Sequence, residues 1–487
     1  MKNLRYLVNI SRVLGVLLMP FSATMLPPIL VALWYKEETI PAFVFATVTT
    51  LMLGIILWFP FRGEHKEIQP KEAFLIVTLL WLALSFTGTF PFAFSANPNM
   101  SFLDAFFETI SGLTTTGATV LSDLDTLPRS ILYYRQQLQF IGGGGIIVLS
   151  IAILPMLSIG GMQLFRAEIT GPFKEDKLSP RITQTAKTLW FIYLGLVILC
   201  ALSYWAGGMS LFDAIGHSFS TISTGGFGTH DANFEFFQSP LLEWMAVIFM
   251  LLGAINFSLH FSAIYHKDLL HYWKDPELKM FLIFWFSVVC ITGFALFYHP
   301  AVAQSSHTIA KTFFQVTAFF TTTGFCNTDF YHWPTFVLML LFLICLVGGC
   351  AGSTAGGIKM IRLLILKRIG EREIKRLIHP SGHYLIKLGN SCLQSRTLEA
   401  IMGFFLIFIA IFVVIFLLLL MMGLDPITAF ATLTASISNT GLGFGAVPES
   451  FQDYDDSVKI LMSIAMLAGR LELFTLLVLL TPNYWRY

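Results

Sequence analysis

The stretch Thr321-Thr322-Thr323-Gly324-Phe325 decides the reading of the chain, because the sequence contains four versions of it. Aligned without gaps on Gly117, Gly226, Gly324 and Gly441, the preceding residues are Thr114-Thr115-Thr116, Ser223-Thr224-Gly225, Thr321-Thr322-Thr323 and Ser438-Asn439-Thr440. Twelve residues before each glycine stand Ala105, Ala214, Thr312 and Ala429, followed by Phe106, Ile215, Phe313 and Phe430. One such run reads as a helix end with Gly in a left-handed cap. Four in register, 109, 98 and 117 residues apart, read as a long internal repeat of a short helix and its end.

Of the 487 residues, 55% are hydrophobic and only 12% charged, with a mean hydropathy of +0.73. Soluble domains carry about twice that share of charge, so the chain is an integral membrane protein. The six cysteines (Cys200, Cys290, Cys326, Cys345, Cys350, Cys392) show no CxxC spacing, which predicts neither a disulfide framework nor a metal site. Basic residues Lys2 to Arg12 ahead of an apolar stretch mimic a signal peptide. Because apolar character runs on to Trp34 through Pro20, Pro27 and Pro28, an uncleaved, kinked first membrane helix is expected.

Ten runs reach the ~20 residues that cross a bilayer: 10–34, 40–61, 72–94, 134–157, 185–206, 240–264, 277–298, 334–365, 398–422 and 457–481. Between runs 3 and 4, 5 and 6, 7 and 8, and 9 and 10 lies a shorter piece ending at one of the four glycines, a length that suits a re-entrant half-helix. Ser101, Ser210 and Asp425-Pro426 supply cap residues at the starts of three of them. The expected fold is therefore an all-α polytopic membrane protein with ten transmembrane helices and four re-entrant pore helices. A two-helix extension (1–71) precedes pore repeats 72–165, 185–266, 277–372 and 397–487, each reading helix, pore helix, filter, helix. With the N-terminus in the cytoplasm, 24 of the 30 Lys and Arg fall in cytoplasmic segments. Lys36, Arg129, Arg135, Lys311 and Lys459 are then extracytoplasmic, and Arg470 falls inside the last run. All four half-helices enter from the extracytoplasmic side.

Non-helical backbone at membrane depth is tolerated only where protein buries it or water meets it, so four such stretches imply a cavity. Glycine lets the backbone turn its carbonyls one way, and Thr or Ser adds neutral hydroxyl oxygen. Four copies around an axis make rings of uncharged oxygens able to replace the hydration shell of a monovalent cation. The candidate ion-binding residues are Thr115, Thr116, Gly117, Thr224, Gly225, Gly226, Thr322, Thr323, Gly324, Asn439, Thr440 and Gly441. Half-helices entering from outside also point their partially negative C-termini at the cation.

These segments resemble the selectivity filter of the Trk/Ktr/HKT potassium transporter superfamily, and most closely its bacterial TrkH branch. The resemblance extends to Gly142-Gly143-Gly144-Gly145-Ile146-Ile147 with Pro155-Met156-Leu157, to Gly160-Gly161-Met162-Gln163, and to Gly348-Gly349-Cys350-Ala351-Gly352-Ser353-Thr354-Ala355-Gly356-Gly357-Ile358-Lys359. It departs at Gly144, where the family usually has Met, and at Leu442, where it usually has Pro. The resemblance implies K+ as the transported ion, with Gly117 at the first filter position going with K+ preference over Na+. It also implies potassium uptake across the bacterial inner membrane, a homodimer, and a cytosolic nucleotide-binding regulator of the TrkA type. The basic stretch Lys359–Lys387 and the Arg166–Lys187 loop, cheaply read as positive-inside anchors, would then be its docking surface. Lipid is the remaining partner, and nothing suggests nucleic acid.

Two further features bear on the pathway. Residues 348–357 interrupt the eighth run with glycines costing about 1 kcal/mol each in a helix, and read either as a small-residue helix contact or as a loop. The resemblance implies the loop, an intramembrane gate under the filter, with Gly349, Gly352, Ser353, Thr354, Gly356 and Gly357 as its residues. Arg470 in the last run is a candidate electrostatic barrier to cations or a structural Arg bonded to buried carbonyls. Both hold if its partners are carbonyls of that loop. Asn256 and His260, spaced i, i+4, read as a hydrogen-bonded packing pair before they read as cavity lining. The competing classes are a cation-coupled carrier working by alternating access, which calls for inverted repeats and a midplane carboxylate, and a membrane enzyme. No metal-ligand cluster, catalytic triad or nucleotide loop supports the enzyme.

Overall fold

The computed structural model describes residues 2–63, 70–152, 178–298, 308–389, 391–442 and 450–485. Among these the chain is helical apart from turns, extended segments and one two-stranded antiparallel ladder, Lys387–Leu388 against Ser391–Cys392. Among the described residues, six helices are long and apolar enough to cross a membrane: Val8–Tyr35, Ile40–Phe61, Glu72–Ala93, Gln184–Ala206, Pro276–Phe297 and Ser395–Met421. Two bent pairs, Pro240–Ala254 with Phe257–His266 and Asp456–Arg470 with Phe474–Leu480, raise the number to eight if each counts as one span. On Ser395–Met421 the residues Met402, Leu406, Ile409, Val413, Leu417 and Met421 form an exposed apolar stripe at helical spacing. Such a stripe suits acyl chains.

The sixth and tenth runs, expected as continuous helices, are broken by 96° and 113° respectively. At the first break Ile255 is extended, and the Ala254 carbonyl it frees accepts the Cys350 N–H at 2.9 Å. At the second, Glu472 and Leu473 take left-handed backbone (φ 55° and 47°). At the first break another part of the chain takes up the carbonyl that the helix gives up, whereas at the second the N–H groups of Leu471, Glu472 and Leu473 turn back onto Leu467, Gly469 and Ala468 of the helix itself. The eighth run is also interrupted, with helix from Thr335 to Cys345 and again from Met360 to Ile378.

The four short helices expected as pore helices are Phe102–Leu113, Leu211–Ile222, Thr308–Phe320 and Pro426–Ile437. Ser101 Oγ accepts from the Asp104 N–H, Ser210 Oγ from the Asp213 N–H, both at 3.1 Å, and Asp425 from the N–H groups of Ile427 and Thr428. Their C-terminal ends are alike. The N–H groups of Thr116, Gly225, Thr323 and Thr440 each return at 2.8 Å to the carbonyl five residues back, on Ser111, Ser220, Ala318 and Ala435. The left-handed residue closing each helix is not the aligned glycine but Thr115, Thr224, Thr322 or Asn439, with φ between 51° and 55°. A side chain in that region costs about 1–3 kcal/mol, which the surrounding packing must offset.

Three apolar cores surround the pore helices. One, holding Phe43, Phe107, Tyr134, Leu433 and Met466, joins the first and fourth repeats. Another packs Phe281, Phe319, Phe320 and Phe342, and a third Tyr193, Tyr204, Phe234 and Phe314. Gly144, in the helix Arg129–Ala152, lies against the Trp190 ring, where an added Cβ would sit 1.8 Å from Cζ3. The indole occupies the room a larger residue at 144 would need.

Candidate functional site

The four glycines close a ring. Gly117, Gly226, Gly324 and Gly441 all have positive φ (84°, 84°, 76° and 80°). A Cβ on Gly117 would lie 2.1 Å from the Gly225 carbonyl oxygen, one on Gly226 2.2 Å from that of Thr323, and one on Gly324 1.8 Å from that of Thr440. A Cβ on Gly441 would lie 2.3 Å from the carbonyl oxygen of Thr116, completing the cycle. Segments far apart in the chain thus meet in cyclic order, glycine against the next segment's carbonyl, and any side chain there displaces backbone. Thr115, Thr116, Thr224, Thr322, Thr323, Asn439 and Thr440 are all buried around this ring.

The hydroxyls expected to contribute ring oxygens divide into two sets. Those of Thr116, Thr323 and Thr440 pair with Thr114, Thr321 and Ser438 at 2.7, 2.7 and 2.9 Å, tying each extended segment to its own helix end. The second segment has Gly225 at this position and no such tie. Two residues of the lower set meet the loop: Thr322 Oγ1 accepts from the Gly356 N–H at 2.6 Å, and Thr224 Oγ1 lies 3.4 Å from Thr354 Oγ1. Asn439 donates from Nδ2 to Thr116 Oγ1 at 3.0 Å and to the Met466 carbonyl at 2.9 Å, linking fourth and first segments.

Residues 348–357 form a loop packed against these segments. Gly348, Gly352 and Gly357 have φ of 72°, 68° and 75°. Gly356 sits so close to the fourth segment that a Cβ would approach the Ser438 carbonyl oxygen to 1.9 Å. Gly349 packs on Ala254, the Phe257 N–H reaches the Gly352 carbonyl at 3.1 Å, and Ser353 Oγ donates to the Cys350 carbonyl. Thr354 Oγ1 lies 2.8 Å from the Ile222 carbonyl at the end of the second pore helix. The loop therefore touches the second, third and fourth segments. Glu277 anchors it with one carboxylate oxygen that accepts from the N–H of Ala351 at 2.8 Å and of Ile361 at 3.0 Å.

Arg470, expected midway along a span, ends the helix Asp456–Arg470 at its break and is 5% exposed. Nη1 donates to the Thr354 carbonyl at 2.8 Å, and Nε and Nη2 have no hydrogen-bond partner among the described residues. Two residues on, Glu472 pairs with Arg362. Arg362 also lies over the Phe404 ring, 4.2 Å from its centroid, so loop and following helix are held by neighbouring residues of one break.

Asn256 and His260 are not the pair their spacing suggests. Asn256 Oδ1 caps the helix Phe257–His266 by accepting the Ser258 N–H, whereas His260 bonds the Tyr272 hydroxyl and the Leu252 carbonyl. Arg135, expected as an extracytoplasmic charge, is 1% exposed and forms a 2.7 Å ion pair with Glu108 behind the first segment. Glu108, Glu277 and Gln139 were not singled out from sequence. The available signal was a carboxylate nine residues before a ring glycine inside an apolar piece, and polar residues Arg135, Gln136 and Gln139 in the run after it. Residues 155–163 and most of the 166–187 loop lie outside the described residues, as do 443–449 after the fourth segment.

Four short helices, three of them capped by side chains, delivering uncharged backbone to one closed ring inside a multi-pass helical bundle define the class: a membrane protein of the cation-transport kind. A family model described as "TrkH: Cation transport protein" matches residues 39–487, and the chain belongs to that family. It is a transport protein, not an enzyme. It is similar to the Trk system potassium uptake protein TrkH of Escherichia coli (strain K12), with 48% identity over 477 residues covering 98% of this chain and 99% of the relative. The TrkH of Vibrio parahaemolyticus is 47% identical over 480 residues, with the same coverage. The crystal structure of the potassium transporter TrkH from Vibrio parahaemolyticus superposes with a TM-score of 0.91 at 45% identity, covering 98% of this chain and 99% of that one.

Proposed function

We propose that this chain takes up potassium into a bacterial cell through a channel-like pore whose filter is the ring around Gly117, Gly226, Gly324 and Gly441. The reading is carried by the closed cycle of glycine-to-carbonyl approaches, which puts four uncharged backbone segments around one point. The family relationship and the potassium uptake relatives support the same ion. Carbonyls from Thr115 to Gly117 and their counterparts in the other repeats replace the water shell of K+. No fixed carboxylate takes part, so the ion leaves as readily as it enters.

The architecture behind it is ten spans with four pore helices in the repeats 72–165, 185–266, 277–372 and 397–487. The helix Arg129–Ala152 and the interrupted pair Thr335–Cys345 and Met360–Ile378, in the fourth and eighth runs, complete the ten. The excess of Lys and Arg on one side supports a cytoplasmic N-terminus, and uptake into the cell calls for the inner membrane. The loop 348–357 with Arg470 is the gate, since it contacts three filter segments from the cytoplasmic side and brings a cation beneath them. The basic helix Met360–Ile378 follows the loop directly, so a cytosolic nucleotide-binding subunit that moves this helix moves the gate. The chain works as a homodimer.

Expression in a bacterium stripped of its own potassium uptake tests this. Growth should return at low external K+, and the substitution Gly117→Trp should abolish the rescue. Protein present in the membrane without restored growth or K+ accumulation would count against the reading.

A further inference from the structure

The filter segments are not held in equivalent ways. Three of them carry an internal tie between hydroxyls (Thr114 to Thr116, Thr321 to Thr323, Ser438 to Thr440). In the second segment Gly225 removes that hydroxyl, and two successive glycines leave the backbone with the least intrinsic restraint of the four. A replacement comes from the helix Arg129–Ala152. Gln139 donates from Nε2 to the Gly225 carbonyl at 2.6 Å and accepts from the Phe227 N–H at 3.2 Å, bracketing Gly226 on both sides.

One turn earlier on that helix, Arg135 joins the first segment to the second. Nε pairs with Glu108 at 2.7 Å and Nη2 donates to Thr119 Oγ1 at 3.0 Å, both in the first repeat. Nη1 points to the Gly228 carbonyl at 3.4 Å and the guanidinium lies 4.2 Å from the centre of the Phe227 ring, both in the second. Glu108 in turn accepts from the Val120 N–H at 3.0 Å. The residue nine before the ring glycine is Glu108, His217, Gln315 or Thr432 in the four repeats, and only the first is charged. The hydrogen bonds of His217 and Gln315 go to the outgoing segment of their own repeat, at Thr229 and Phe325, and His217 meets the next repeat only through its ring, 5.8 Å from that of Phe325. A buried ion pair is weak evidence for added stability. What this one adds is reach, since the planar fork of Arg contacts two segments at once.

We propose that Glu108, Arg135 and Gln139 form a buttress behind the ion pathway that fixes the separation of the first and second filter segments, and so determines how well the pore distinguishes K+ from Na+. They are positioning residues that act through the backbone at Gly117, Gly225 and Gly226. Repeats three and four hold their segments by other means, so the discrimination depends unequally on the four segments.

The proposal rests on the ring being the filter. The test measures K+ and Na+ flux through full-length protein in liposomes for the parent, for Gln139→Met, for Glu108→Gln combined with Arg135→Met, and for Arg135→Lys. The K+ to Na+ flux ratio should fall about tenfold in the double variant, which keeps the site neutral, and severalfold in Gln139→Met. Arg135→Lys, which keeps charge and loses the fork, should fall in between. A monodisperse Gln139→Met with the parent ratio overturns the proposal, as does equal loss of both fluxes at an unchanged ratio. Failure of Gln139→Met to fold marks that residue as structural only and also counts against it. A parent that does not discriminate defeats the filter reading itself, and the buttress with it.

Discussion

Arg470 and Thr354 meet at 2.8 Å, guanidinium to carbonyl, across the point where the helix Asp456–Arg470 stops and the loop 348–357 packs against the segments of the glycine ring. The contact puts a positive charge against the loop proposed as the gate and stitches that loop to the helix Asp456–Arg470. Removing the side chain with Arg470→Ala should raise K+ flux through the isolated protein in liposomes about tenfold or more, since a charge-assisted hydrogen bond of ~1.5–3 kcal/mol and a cation barrier disappear together. Arg470→Lys should raise it less, because charge stays while the multi-donor fork is lost. Well-folded variants with flux at or below the parent would remove Arg470 from the gate.

Glu277 offers an independent hold on the same loop. Its single oxygen accepts two backbone N–H groups, from Ala351 and Ile361, on either side of the loop's central turn. Glu277→Gln replaces charge-assisted acceptance by a neutral one, a loss of about 1 kcal/mol that should raise partner-free K+ flux severalfold. Because Glu277 holds the loop through Ala351 and Ile361 rather than the ring glycines, the K+ to Na+ ratio should stay at the parent value. A changed ratio with unchanged flux would contradict this assignment.

At Gly117 the constraint is steric and conformational at once. A Cβ would reach 2.1 Å from the Gly225 carbonyl oxygen, and φ is 84°. Gly117→Ser should therefore displace one ring carbonyl and raise Na+ passage relative to K+ about tenfold, equivalent to ~1.4 kcal/mol of discrimination. Flux measured ion by ion decides it. A proportional fall for every ion would make the residue structural only.

Beyond the ring, His230 bridges the loops that leave the first and second segments. Nδ1 contacts Asp125, Nε2 lies 3.5 Å from Asp213, and the ring stacks on Phe236, while His217 approaches the same network through Thr229. Partial burial disfavours the imidazolium, but hydrogen bonds and negative charge from Asp213 and Asp125 outweigh it and raise the pKa. A raised folded-state pKa means the bridge's contribution is full below the ordinary value of ~6.5 and is lost as pH climbs through the raised value. Thermal stability of the purified protein should thus decline across that window, and His230→Gln should flatten the decline. The same slope in parent and variant would show that other groups carry it.

The part of this architecture legible in the sequence is the part written in local chemistry. Ser101, Ser210 and Asp425 announce helix starts because caps are short-range, and the four glycines align because each repeat solves the same turn. The breaks at Ile255 and at Glu472–Leu473 were not legible. What meets them there is the loop 348–357 and Arg362, on the order of 100 residues away in a chain folded through long-range contacts. Arg135 misled for a related reason. Counting basic residues by side of the membrane treats each as solvated, whereas this one is buried against Glu108 and two filter segments.

Comparative ion flux tests the central claim most directly. Protein reconstituted alone into liposomes should pass K+ and Rb+ well above Na+ and Li+, because four uncharged segments closed into one ring match the larger, more easily dehydrated ions. Equal K+ and Na+ flux through monodisperse protein would contradict the account.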